Sequence, residues 1–438
     1  MAGISDDGLA SVGPWPAGIN NIAKEGALPR DQNGRTIALR EAENVDLSAE
    51  GVPSRRDGYT LAAPLELGHS AWSHELLDFG LFVTSGSLHV LHATGEVTDL
   101  GVAVGNLPVS FTLLGDRVYF CNRNVSGMLT LDLQVHAWAP EAPAGQPAVS
   151  AVDGFGLPAG YYQVAITYTD TLGRESSSTL AAQVDVAENG GIELVGIPQP
   201  VDGAATPLIN LYLTGQNDQV LKLSRTITVG TTYAVLSQPA AGRALPAGLQ
   251  LLRPLPPGAI TRGANGRQYV ADGQEVFWSP ALRYGMYDRV ANRLRFSAAV
   301  TMVEPVGTAS AAGIYVAAGN RTYWLSGPDP AVFDQRIAYG HGVVPGTSTI
   351  IGGDVLGLDA SNPVAVWIAT NGQFCAGLPG GQVVPLKNGQ AVVDAADRGA
   401  MLLREQDGIR QLVATLSATR PQGLAVRDRA VAHVIKAS

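Results

Sequence analysis

Apolar residues in this chain recur in short runs that alternate with polar ones, and nearly every run ends at Gly, Pro, Asn or Asp. That period of two, punctuated by turn residues, predicts strands rather than helices. Only Thr36–Asn44 (TIALREAEN) carries a pattern that predicts a turn or two of helix.

The strands repeat as a unit: a Gly-containing turn, an alternating apolar strand, a second turn and a second strand often bearing an aromatic. Residues 79–91, 115–133, 266–279, 313–326, 364–386 and 400–417 all read this way. Two of them align almost position by position. Tyr269-Val270 matches Tyr315-Val316, Gly273 matches Gly319, and Phe277-Trp278 matches Tyr323-Trp324. Asp407-Gly408 in the last unit is a hairpin turn signal. A lone hairpin cannot bury both faces, and radial repetition of such units protects their edges. The expected fold class is therefore all-β, a β-propeller of about six blades, with five or seven as the neighbouring counts. A sandwich array or an irregular barrel is the alternative.

Residues 146–253 break the repeat. Tyr162, Val164, Ile166 and Tyr168 alternate with Gln163, Ala165 and Thr167, as in a half-buried strand, and Asp170–Gly173 supplies a turn. Several short strands at close spacing predict an immunoglobulin- or fibronectin-like β-sandwich, inserted between Pro-rich flanks. The expected organisation is an N-terminal arm (1–45), a first propeller part (46–145), the inserted sandwich (146–253) and a second propeller part (254–438). A final strand is expected within 423–434.

Composition changes this picture little. Gly (52) and Pro (27) together make 79 of 438 residues, which fits turn punctuation. Charged residues are 15% and the net charge is −9, which argues against tight nucleic-acid binding. Cys121 and Cys375 are too few for a disulfide framework. A reducing compartment of synthesis is expected, with a single bridge as the alternative. The first residues carry no basic segment followed by an apolar core, so no signal peptide is expected. No apolar run is long enough to span a membrane as a helix.

Candidate chemistry is sparse. The seven His show no metal-ligand spacing; His89 and His92 lie three apart on a predicted strand and point to opposite faces. Cys121 (VYFCN) and Cys375 (QFCAG) read as small core residues. AGNRTYW (318–324) lacks the Ser and Asp of a sialidase-type turn, and Asp354, Asp359 and Asp397 have no partner that spacing identifies. AGLPGG (376–381) lacks the Lys and the strand-to-helix context of a phosphate loop. Arg55-Arg56 reads as a solvated turn or as half of an intersubunit ion pair. No catalytic, cofactor-binding or metal-binding residue is assigned, and no enzyme activity is expected.

One stretch of text carries a resemblance. Gly18-Ile19-Asn20-Asn21, then Ala38-Leu39-Arg40-Glu41-Ala42-Glu43-Asn44-Val45-Asp46, then Arg55-Arg56-Asp57-Gly58-Tyr59 resemble the opening of the tail nozzle or tail hub (head-to-tail connector) β-propeller proteins of tailed phages. Residues 265–288 and 323–330 are similar to the same group. The resemblance implies a structural virion protein of the tail, assembled in the host cytoplasm as a homo-oligomer, with a hexameric ring expected. It implies portal and adaptor proteins above, tail fibre or needle proteins as further partners, and passage of double-stranded DNA without sequence-specific binding. It implies retention of the packaged genome and no membrane insertion. A glycan-binding or glycan-degrading propeller tail protein is the alternative, and a monomeric scaffold with no viral role is a third reading.

Overall fold

The computed structural model describes residues 3–4, 10–11, 13–42, 45–48, 50–55, 67–307, 312–327, 329–357, 362–406, 409–417 and 431–436. Half of the chain is strand (50%) and 4% is helix, so the class is all-β. Among the described residues the dominant sheet is the four-stranded antiparallel meander of a β-propeller blade. The first meander comprises His69–Ser73, Phe79–Thr84, Ser87–His92 and Val97–Ala103. The second comprises Ser110–Leu114, Arg117–Cys121, Ser126–Thr130 and Val135–His136. The third comprises Ile260–Ala264, Arg267–Asp272, Glu275–Trp278 and Arg293–Arg295. Val300–Val306, Gly313–Ala318, Arg321–Ser326 and Asp334–Tyr339 form the fourth. Thr349–Gly352, Pro363–Ile368, Phe374–Gly377 and Val383–Pro385 form the fifth. A sixth, three-stranded sheet joins Arg398–Gln406, Ile409–Ser417 and Val431–Lys436.

The chain divides into two compact units, one from residues 1–99, 271–275 and 295–438, the other from 100–270 and 276–294. In the first unit the inner strands are buried on both faces: all six residues of Gly313–Ala318 are buried, as are Val364 to Ile368. Tyr315 packs between Trp324 and Trp367, with ring centroids 4.7 and 5.4 Å away. Aromatic pairs at such distances add stabilisation beyond their area.

In the second unit a core of Leu114, Tyr119, Met128, Trp138, Val270 and Met286 spans the blade strands. The hairpin turn at Asn265-Gly266 has φ of +49° and +67°, the two-residue geometry whose twist matches the strands it joins. Gly266→Ala is expected to cost about 1–2 kcal/mol, the penalty of a Cβ in the left-handed region. Urea denaturation checks this, and a wild-type midpoint would contradict it.

The same unit holds a two-sheet sandwich. One sheet orders Ala182–Val186, Gly160–Thr169, Leu208–Leu213 and Lys222–Thr228, and the other orders Ala148–Leu157, Gly190–Val195 and Tyr233–Leu236. Tyr162, Val164, Ile166 and Tyr168 point into their shared core with Leu194, Leu211 and Leu213. The half-buried reading of this strand is corrected, because Ala165 and Thr167 on its other face are also buried. The segment after the Asp170 turn runs back along the strand and covers it: the Ser176 and Thr179 amides donate to the Tyr168 and Ile166 carbonyls.

The helix expected over 36–44 is also corrected. Gly18–Ile19 and Ala38–Leu39 form a parallel pair instead. A nine-residue segment cannot offset the nucleation cost of a helix alone, so the available strand partner wins. Both cysteines are free and buried, which removes the single-bridge alternative. No helix among the described residues is long and apolar enough to cross a membrane. Arg56, Asp359, Asp407-Gly408 and residues 423–430 lie outside the described residues.

Candidate functional site

Two polar constructions stand out, one in each unit. In the first unit, the opening segment is stitched down by the residues of the Gly18–Asn21 text. The Ala17 and Asn20 amides donate to the carbonyls of Ile37 (3.0 Å) and Leu39 (2.7 Å). Buried Asn20 turns its Oδ1 to the Ala23 amide at 3.0 Å. Asn21 behaves as a strand partner: its Nδ2 donates to the Val392 carbonyl (2.7 Å) and its Oδ1 accepts the Val392 amide (3.0 Å). Its own amide donates to Gln390 at 3.1 Å. Val45–Leu47 pairs with Pro53–Arg55, and Asp46 lies 4.0 Å from Arg404 of the sixth meander. Arg55 is exposed. Asn21→Ala should remove two of these bonds, about 2 kcal/mol of local stability. The expected readout is about 30-fold faster amide exchange at Val392; unchanged exchange would show that the contact carries no weight.

In the second unit, the turn after the strand Gly160–Thr169 builds a clamp. Asp170 Oδ1 accepts the Leu172 and Arg174 amides at 3.0 and 2.8 Å, while its Oδ2 takes Arg174 Nε at 2.7 Å. The guanidinium then donates to the carbonyls of Ala137 (2.8 Å) and Trp138 (3.0 Å), just beyond the second meander. One planar fork thus satisfies a carboxylate and two main-chain acceptors, a task suited to Arg.

Beside it, Glu175 accepts from Thr167 Oγ1 (2.6 Å), Tyr212 OH (2.6 Å), Asn210 Nδ2 (3.1 Å) and Arg243 (2.8 Å). Burial alone would raise its pKa, but the bonds from Thr167, Tyr212 and Arg243 outweigh burial and hold the carboxyl below its ordinary value. The Tyr212 phenol is pushed up by burial and by the adjacent carboxylate. A carboxylate already holding four donors is a structural hub, not a free base.

The remaining candidates occupy structural positions. Burial pushes the Cys375 thiol up to about 12, so it stays protonated at neutral pH. Cys121 Sγ donates to the Gly258 carbonyl at 3.1 Å. His89 stacks on Phe82 at 5.5 Å within the first meander. Asp354 is bound by Arg410 at 2.9 Å, and the structure gives it no carboxylate partner among the described residues. Asp397 precedes the strand Arg398–Gln406. The glycines of 376–381 form a blade turn whose Leu378 carbonyl accepts Tyr315 OH at 2.7 Å. Among the described residues no group of three or more His, Cys, Asp or Glu is arranged to hold a metal.

No family model and no curated protein matches the chain. Among solved structures, the WD40 domain of SCAP from fission yeast is similar at 8% identity and a TM-score of 0.29, covering 81% of this chain and 64% of that one. PorZ, a surface component of the type-IX secretion system of Porphyromonas gingivalis, shows 12% identity and a TM-score of 0.24, over 81% of this chain and 57% of that one. Dipeptidyl peptidase 4 of the same bacterium shows 10% identity and a TM-score of 0.25, over 86% and 51%. The chain thus spans less than two thirds of each of these structures. Likenesses this weak add nothing to the strand pairing described above.

Proposed function

We propose that this chain is a structural protein of a phage tail, a nozzle or hub subunit. Its ring extends the DNA channel below the portal and adaptor, retains the packaged genome and docks tail fibres or a needle. The reading rests on the nozzle-like text of residues 18–60, whose Gly18–Asn21 and Asp46 fasten the opening segment to the rest of its unit. Text that fixes architecture suits a protein whose fold and contacts are its function.

Two further features support it. Trp278, Trp324 and Trp367 are all buried in blade strands, whereas a glycan-binding propeller presents aromatics to its ligand. The net charge of −9 suits a surface past which DNA slides without adhering. The mechanism is steric: loops at one end of the ring narrow the channel, and their displacement on host contact releases the genome. Particles assembled without this chain are expected to lose DNA and to lack complete tails. Particles that keep both would refute the reading.

A further inference from the structure

Charge is unevenly placed within the second unit. Its blade stretches 252–270 and 276–294 carry six arginines (253, 262, 267, 283, 289, 293) against one carboxylate, Asp288, while its second meander is balanced, with Arg117 and Arg123 against Asp116 and Asp132. The sandwich region 141–236 carries nine carboxylates against Arg174, Lys222 and Arg225. Two of the nine, Asp170 and Glu175, are spent on the internal bonds described above. Asp153, Asp185 and Glu188 are exposed at one end of the sandwich. There Asp153 is paired with Gly190, just past the turn that holds Glu188, and Asp185 lies across from Tyr161. Tyr161 and Phe155 at this end are 61% and 44% exposed.

The arginine-rich stretch 276–294 includes a well-bonded turn. Asp288 Oδ1 accepts the Val290 and Ala291 amides at 2.8 and 3.2 Å. Asn292 Oδ1 accepts the Asp288 amide at 3.0 Å, and the Asn292 amide donates to the Asp288 carbonyl at 2.9 Å. The turn is fixed by its own bonds, yet it holds Arg289 in solvent and Val290 at 85% exposure. A preorganised turn showing a cation beside an apolar side chain has little ordering entropy left to lose on docking.

We infer that the 288–292 turn of one copy docks on the acidic, aromatic end of the sandwich of a second copy. Arg289 faces Asp153 and Asp185, and Val290 meets Tyr161 and Phe155. Such opposite potentials steer encounter and fix register. The two patches differ, so the contact is heterologous and propagates from copy to copy, closing where the rotation closes. The inference rests on the ring reading above for the closure alone. Duplex DNA would also meet the arginines and is the competing occupant.

Sedimentation of the purified full chain tests this at low and high salt. The wild type is expected to self-associate, more weakly as salt rises. Arg289→Ser with Val290→Asp, and separately Asp153→Asn with Asp185→Asn, should each weaken association at least about tenfold. Both variants leave Asp288, Asn292 and Glu188 in place, and unchanged melting confirms their folding. Each keeps one intact patch, so an equimolar mixture should form a 1:1 dimer that grows no further. The inference is overturned by a wild type that stays monomeric, by variants that associate like the wild type, or by a mixture without dimer. It is also overturned if the Arg289 variant loses duplex DNA binding while self-association persists. These outcomes are independent of the particle phenotype, so the interface and the tail assignment fail separately.

Discussion

Arg174→Ala should destabilise the second unit by about 3–5 kcal/mol, the usual cost of removing one partner from a buried ion pair. The side chains of Arg174 and Asp170 are only 16% and 8% exposed, so solvent screens the pair little. The loss has two parts. Asp170 keeps its two amide donors but loses its counter-ion, and the carbonyls of Ala137 and Trp138 lose their donor. Arg174→Lys keeps the charge but cannot form the fork, so it should recover only part of the loss. Urea denaturation, with hydrogen exchange at the sandwich amides, measures both variants. A midpoint for Arg174→Ala within error of wild type would show that the clamp contributes nothing.

The Glu175 hub yields the second large effect. Glu175→Ala leaves Thr167, Asn210, Tyr212 and Arg243 without their shared acceptor, and a loss of about 3 kcal/mol is expected. Acid exposes the same group. Its folded pKa is lower than its unfolded one, so the unfolded chain takes up the proton first as pH falls. The contribution is therefore full above the unfolded value of about 4.3 and is lost as pH drops through the folded value. In Glu175→Gln this part of the acid dependence should vanish, while neutral-pH stability falls less than in the alanine variant. An acid limb with the wild-type slope in Glu175→Gln would assign that dependence to other carboxylates.

The hairpins centred on Gly273 and Gly319 were readable because their inner strands meet apolar neighbours on both sides. The outer strands were not. Asp334–Tyr339 and Arg293–Arg295 are mostly exposed, so neither alternation nor a continuous apolar run marks them. The clamp and the hub were hidden for another reason. Asp170–Gly173 reads as a turn, but nothing in local spacing reveals that Arg174 reaches Ala137 or that Arg243 reaches Glu175, 68 residues away. The available hint was compositional: Arg174-Glu175 followed by Ser176, Ser177, Ser178 and Thr179, a polar block between apolar strands, all four hydroxyl residues of which are buried. Within the block, Ser176 and Thr179 bond the neighbouring strand while the Ser177 and Ser178 hydroxyls find no partner among the described residues, and the distant partners of Arg174 and Glu175 are visible only in three dimensions.

The Asn21–Val392 contact joins residues 371 positions apart. On a ribosome adding about 5–20 residues per second, roughly 20–75 s separate the emergence of its two halves. Asn21 therefore waits for its Val392 partner while the whole second unit, which interrupts the first in sequence, is made. The second unit can complete itself earlier, and the first is finished only near the end of synthesis. A nascent chain arrested before residue 390 would carry a folded middle and a beginning not yet tied to Val392, so the order of synthesis places this clip late in assembly of the subunit, ahead of the sixth sheet.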